Sequence, residues 1–585
     1  MFIVAGFRLY SKKNLVLFLI FLIGIGITVS KVIPGSQNSL KGSEVSTSLS
    51  RPESSLGINL SGLGSASTQF PFIDYFKNSH EWFTTCRNKK TSDCRGVWNT
   101  KESEQLDLDE QGWVKSLPKP EDPPRYTEVA TTLFKDIPQD TPISGQYLVL
   151  YDGEGTLEYG LSAKKDKTLS QPGRDVINID LSKTSGALIL INETDPNQTG
   201  NYLRNIRIIR AEHESLYRDG EIFNPAFLEK IKPFKTLRFM DWMQTNHSPQ
   251  KEWKDRPTPL TATYRGSGVP LEVMIALSNQ QKSEPWFNIP HKATDEYIRN
   301  FAQKVKAELN PDLNIYVEFS NEVWNWNFKQ TRYALEQGQA RWGKDKGDAF
   351  RQWYGMRTNQ MCEIWKKEFG NQANRVICVI ATQTNSEGEE QKILDCPYWV
   401  AEGNKPCYQG VDVYAIAGYF SASLGDLENS SVVESWIKQG DKGINQAFEQ
   451  LKKGGLLPKD KDSLVDNYQT FLYHAEVAKS KGLKLVAYEG GQHLVPHPKD
   501  PNKEEVSKFF IQLNRDPQMY DAYLQLLEYW KQAGGTLFMH FVDIGKPTKY
   551  GSWGALESVY QPTSPKYKAL EDFIDNNDGG RNVSR

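Results

Sequence analysis

Two glutamates carry most of the chemistry that this 585-residue sequence offers. Glu322 falls in residues 313–328, LNIYVEFSNEVWNWNF, and Glu489 directly follows residues 483–488, LKLVAY. In both places an apolar, β-branched run, the pattern of a short buried strand, ends abruptly at a carboxylate. Around Glu322 the chain turns polar and aromatic, with Ser320, Asn321, Trp324, Asn325 and Trp326. A carboxylate at the mouth of a buried strand, among amides and indoles, suits a sugar. Flat indole faces cover the apolar faces of pyranose rings, and amides and carboxylates bond the hydroxyls. Two such carboxyls facing one another are what hydrolysis of a glycosidic bond requires, one to protonate the leaving oxygen and one to attack or to activate water.

Asn321–Glu322 after a strand resembles the acid/base signature of clan A glycoside hydrolases, the (β/α)8-barrel glycosidases. The longer string at 318–325, EFSNEVWN, resembles a group of that clan labelled cellulose-binding or glycosidase-like proteins. The resemblance implies a (β/α)8 TIM barrel with Glu322 as acid/base after the fourth strand and Glu489 as nucleophile after the seventh, acting with net retention. It also implies that Arg238 hydrogen-bonds the nucleophile, that Tyr419 stands near it (Tyr414 being the alternative), and that Asn321 bonds the substrate 2-hydroxyl. Trp553 resembles the clan's tryptophan after the eighth strand. Trp286, Trp324 and Trp326, in loops after strands three and four, are further candidates for sugar stacking. His540, with His291 and His493, lies near the same rim and is a candidate to bond hydroxyls. Glu489 has to stay ionised, so donors are expected around it.

These residues need a scaffold that brings strand ends together. Strand-like segments begin near residues 56, 236, 271, 313, 375, 411, 483 and 536, with helix-patterned segments such as 294–309, 348–369, 463–478 and 517–531 between them. Alternating βα units of this number predict a closed parallel barrel, whose sites lie at the C-terminal ends of the strands. Segments 146–151, 175–181, 187–191 and 201–210 are short strands without intervening helix periods, so 95–210 reads as a β-rich insertion after the first barrel strand. The barrel then starts at 56–94 and continues over 211–575. Gly153-x-Gly155 opens no helix and is no phosphate loop.

Residues 1–30 combine Arg8, Lys12 and Lys13 with an apolar run over 15–29, the pattern of a signal peptide or signal anchor. Residues 31–55 read as a flexible linker and 576–585 as a polar tail. Either form of the leader exports the rest, secreted if cleaved and membrane-anchored if not. Export gives the six cysteines meaning, with Cys86–Cys94 and Cys396–Cys407 as close pairs and Cys362 left with Cys378 or as a buried thiol. With 70 basic and 72 acidic residues and no basic tract, nucleic acid is not an expected partner. The histidines show no metal-ligand spacing, and nothing in the pattern asks for a metal, nucleotide or other cofactor. The expected partner is a β-linked polysaccharide. A non-catalytic carbohydrate-binding protein and a transglycosylase are the alternatives.

Overall fold

Eight segments form strands: β1 (Ser55–Asn59), β2 (Thr236–Arg238), β3 (Glu284–Ile289), β4 (Ile315–Phe319), β5 (Val376–Ala381), β6 (Val413–Phe420), β7 (Lys484–Gln492) and β8 (Leu537–His540). This is seen in a computed structural model that describes residues 55–577 apart from 87–95, 119–125, 183 and 501. Each strand lies parallel to its neighbours, and Ile58 of β1 sits opposite both Leu237 of β2 and His540 of β8, which closes the barrel. Helices cover the outer face, so these strands are buried on both sides and read as continuous apolar runs. At Gly57 a Cβ would run into Met539 and the Thr236 carbonyl, so this turn of the barrel wall needs glycine.

One element differs from the sequence reading. Residues 271–277 were expected as the third strand; they open a helix, Leu271–Gln281, and the third strand is β3. Pro270 stands at the helix N-cap, and Lys282 ends the helix with a left-handed φ of 54°. Leu, Glu, Met and Ala favour helix. Its buried side includes Leu271, Val273, Met274, Ile275 and Leu277, a face so broad that the helical period vanishes into an apolar run. In β3, Glu284 and Pro285 disguise the strand, because proline inside a run argues against one. The helix leads directly into the strand and the number of strands is unchanged, so Glu322 still follows the fourth strand and Glu489 still lies in the seventh.

The segment between β1 and β2 forms two four-stranded antiparallel sheets. One is ordered Phe83–Thr85, Glu128–Leu133, Ala187–Thr194, Gly155–Leu161; the other Ala163–Gln171, Arg174–Ile179, Gly145–Asp152, Arg204–Arg210. Its first strand therefore precedes the change of composition near Arg95. Inward residues such as Val129, Leu133, Val149, Ile189 and Ile208 join the same buried apolar cluster as the barrel.

Cys362 on the helix Ala349–Phe369 is bonded to Cys378 on β5, with Cα atoms 5.9 Å apart, and Cys396 is bonded to Cys407. Cys86 is also disulfide-bonded. Cys94, the leader and nearly all of the linker and tail lie outside the described residues. Among the described residues no helix is long and apolar enough to cross a membrane.

Candidate active site

Arg238, the last residue of β2, is fully buried, and an unpaired guanidinium there would be prohibitively costly. Its five N–H groups are all used. Nε and Nη2 donate to Glu318 Oε2 at 3.2 and 2.8 Å, and Nη2 also donates to Asn321 Oδ1 at 2.9 Å. Nη1 donates to Glu489 Oε1 at 2.8 Å and to Asn59 Oδ1 at 3.0 Å. One side chain thus ties the ends of β1, β2, β4 and β7. Burial works against its charge, but Glu318 and Glu489 outweigh that and hold it more firmly protonated than usual.

Glu489 accepts from Arg238 on one oxygen and from the Tyr419 hydroxyl, 2.9 Å away, on the other. Tyr414 instead faces Thr382 and His474, so Tyr419 is the tyrosine that reaches the carboxylate. The Glu489 carboxyl is pushed up to about 8 on balance: burial raises it most and Glu322 raises it further, while Arg238 and the Tyr419 bond pull it down. Donors surround the group, as expected, yet burial and the neighbouring carboxylate keep it easily protonated.

Glu322 Oε1 accepts from the Tyr488 hydroxyl and Oε2 from Asn325 Nδ2, both at 2.9 Å. Tyr488 and Glu489 are consecutive on β7, where alternation should send them to opposite faces. A register shift resolves this: Ile416 of β6 pairs with Ala487 and Ala417 with Glu489, leaving Tyr488 as a bulge. Bulges re-aim side chains in this way. Asn59 Nδ2 bonds the freed Tyr488 carbonyl at 3.2 Å. Across the barrel, Ser320 and Glu322 take left-handed φ values of 61° and 39°, which places Glu322 off the line of β4.

The aromatic candidates divide. Trp324, Trp326, Glu322 and Tyr488 line a cavity of about 390 Å³ together with Gln383, Thr384 and Asn385 after β5. Trp326 is 48% exposed and Trp324 only 7%. Trp553 packs edge-on against Tyr419 and His493 at 5.8 and 5.0 Å, which makes it a wall beside Glu489. Trp286 is a correction: it lies within β3 rather than in a loop, is fully buried, and donates to Glu318 at 2.9 Å while stacking on Tyr316. No sugar can reach it. His540 is a second correction. It is fully buried with its Nε2 3.2 Å from Tyr523 on the outer helix Gln518–Ala533, and burial lowers it to about 3, so it faces the helix ring as a neutral side chain. His291 is likewise buried, against Tyr333. Trp286→Phe should therefore cost about 2–3 kcal/mol of stability, through a lost bond to a charged group and a cavity, and leave KM unchanged. Thermal denaturation beside Michaelis kinetics checks this, since a stacking platform would raise KM instead.

Sequence reasoning missed Glu318, Asn59, Asn288 and Tyr488. Glu318 Oε2 gathers four donors, from Arg238 twice, Trp286 and Asn288 at 2.7 Å. The signal was available: a glutamate inside a buried strand and an arginine inside another need each other.

No protein-family model and no curated protein matches the chain. Solved structures of glycoside hydrolases align with about 60% of the chain at low identity. A 4-O-α-L-rhamnosyl-β-D-glucuronidase from Fusarium oxysporum 12S aligns at 15% identity and TM-score 0.32, over 59% of this chain and 63% of that one. A family 5 xyloglucanase from Paenibacillus pabuli aligns at 10% and 0.35, over 60% and 90%. A GH10 structure from Paenibacillus barcinonensis aligns at 12% and 0.33, over 62% and 93%. These likenesses concern the barrel alone, and the strand register itself establishes that barrel.

Proposed function

We propose that the chain is a retaining glycoside hydrolase acting on a β-linked polysaccharide. The observation that carries this reading is the pairing of Glu322 and Glu489 at one barrel mouth, each held by a tyrosine hydroxyl and coupled closely enough for Glu322 to raise the Glu489 carboxyl. In the first step a Glu489 oxygen attacks the anomeric carbon, and the bond to the leaving oxygen breaks as Glu322 gives that oxygen its proton. In the second, Glu322 takes a proton from water, the water oxygen bonds the anomeric carbon, and Glu489 leaves as carboxylate. Asn321 spends one amide hydrogen on Asn246, which leaves the other for the 2-hydroxyl. Trp324, Trp326 and Trp553 supply apolar faces for sugar rings.

Attack requires ionised Glu489, so the acid limb of kcat/KM should lie near pH 8 in the free enzyme, which a pH–rate profile checks. Tyr419→Phe removes a bond that favours the carboxylate. The limb should then move to higher pH and kcat/KM fall about 10- to 100-fold, the worth of one bond to a charged group. An unmoved limb counts against the assignment of Glu489.

Incubating the protein from residue 55 onward with β-glucans, mannans, xylans and galactans tests the reading. Release of reducing ends from one polymer, lost in Glu322→Gln, establishes it; binding without release across the panel favours a carbohydrate-binding protein. We also infer an extracytoplasmic location, supported by the bonding of all five described cysteines. An uncleaved leader would tether the enzyme to the membrane, which fractionation of the native protein checks.

A further inference from the structure

Residues on the opposite side of the barrel mouth from the Trp324 and Trp326 cavity form a second cavity, of about 490 Å³. Ligand pockets commonly measure about 300–1,000 Å³. The loop after β1 gives it Ser61, Gly62 and Gly64, the loop after β8 gives Lys546, the segment after β2 gives Arg265, and the inserted sheets give Lys135. In the closed barrel β1 and β8 adjoin each other and lie across from β4 and β5, so the two cavities flank the glutamates. The second one begins two residues beyond Asn59, which bonds Arg238 and the Tyr488 carbonyl. Two residues span at most about 7 Å.

The walls of the two cavities differ in kind. Amides, indoles, two hydroxyls and the Glu322 carboxylate line the first; three cations line the second, against one carboxylate, Asp136. Arg265 is spent on Glu81. Lys135 and Lys546 have no carboxylate within 4.0 Å among the described residues, and the half-buried Lys546 ammonium donates only to the Asp136 carbonyl oxygen. Burial lowers the Lys546 ammonium, the Asp136 carboxylate partly opposes this and Lys135 adds to it, so Asp136 is the one acidic group that the two neighbouring lysines share, without a direct ion pair. Nor does packing explain the glycines. A Cβ at Gly64 would meet nothing nearer than Arg265 at 3.6 Å, and one at Gly62 nothing nearer than Asp241 at 3.7 Å. Side chains there would only narrow the cavity.

We infer that this cavity, with Lys135 and Lys546 at its rim, is a subsite for a negatively charged sugar unit, so that the substrate is an anionic polysaccharide bearing uronate carboxylates or sulfate esters. The inference rests on the glycosidase reading of Glu322 and Glu489. It also accounts for the inserted segment, which carries one of the two lysines to the barrel mouth.

The test is calorimetric binding in the Glu489→Gln background, which prevents turnover, with β-1,4-linked hexamannuronate, a κ-carrageenan hexasaccharide and cellohexaose as probes. One anionic probe should bind at least about tenfold more tightly than cellohexaose at low salt, and the advantage should shrink as salt rises. The Lys135→Glu/Lys546→Glu double variant should lose the advantage, and Lys135→Arg/Lys546→Arg should keep it. Which probe wins identifies the anion. Cellohexaose binding as tightly as both, binding of none of the three, or an advantage that survives charge reversal overturns the subsite. Failure of the underlying reading looks different: the unsubstituted enzyme then binds the anionic probe and never cleaves the parent polymer.

Discussion

Glu489→Gln should lower kcat on the polymer by about 10⁴-fold or more, the scale on which loss of a covalent nucleophile is felt. Glutamine keeps the shape of the side chain, an oxygen to accept from Arg238 and an amide to face the Tyr419 hydroxyl, so the fold persists. The proton inventory makes that prediction sharper. Glu489 titrates near 8 in the folded chain against an ordinary value of 4.5, so its contribution to stability is fully present below the ordinary value and lost as pH rises through 8. The variant cannot ionise and escapes that loss. Its melting temperature should therefore gain on the unsubstituted protein as pH rises from about 4.5 to 8 and hold that gain above 8, while its activity stays lost at every pH. Glu322→Gln should behave differently. Its polymer cleavage should fall by about 10²- to 10⁴-fold, but an aryl glycoside whose leaving group needs no proton should still glycosylate Glu489. On such a substrate the acid limb should move below 8, because the negative charge that pushes Glu489 up is gone. Near-normal polymer cleavage in either variant would remove both residues from the mechanism.

Arg238→Lys should have the largest effect on the fold. Lysine offers three donors from one point where the guanidinium spreads five N–H groups across Glu318, Glu489, Asn321 and Asn59. Two buried carboxylates would be left short of partners, and breaking a buried ion pair costs about 3–5 kcal/mol. With less opposing charge, Glu489 should also become harder to ionise, which sends the acid limb of kcat/KM above 8 and lowers activity at neutral pH by about 10²-fold or more. Denaturant unfolding and a pH–rate profile read the two effects separately. A variant with unchanged stability would mean that the four strand ends do not depend on this residue.

Much of the barrel could be read from the chain because parallel strands covered on both faces are unmistakable apolar runs. VICVIA and LKLVAY are such runs, and β5 and β7 stand where they fall. The failures have physical causes. LEVMIAL is buried over so much of its surface that helix and strand look alike, whereas EPWFNI begins with a charge and a proline. That exchange misplaced Trp286, which looked like a loop indole and is an interior donor. Strands 128–133 and 155–161 of the insert were missed because their apolar residues are interrupted, by glutamate and two threonines in EVATTL and by glycine, threonine, glutamate and tyrosine in GTLEYGL. At the site, Glu322 and Glu489 were legible from their position after an apolar run, whereas Arg238, Asn321 and Tyr419 were expected from the family resemblance alone. Tyr488 was not, since nothing in LKLVAYEGG marks the extra residue that turns it inward; only pairing with β6 does.

The Tyr488 bulge makes the spacing of the two carboxyls an internal dimension of one peptide stretch. Glu489 projects from β7, and Glu322 is moored to β7 by the hydroxyl of the preceding residue. Breathing of the segment after β4 can therefore widen or narrow the entrance without stretching the gap between attacking and proton-giving groups. Gate and ruler are built from different parts of the chain. A loop graft over residues 326–328, which keeps Asn325 on Glu322, should accordingly exchange the polymer admitted while preserving the stereochemical course, whereas deleting one residue near Tyr488 would slip the strand by half a repeat and turn Glu489 into the wall.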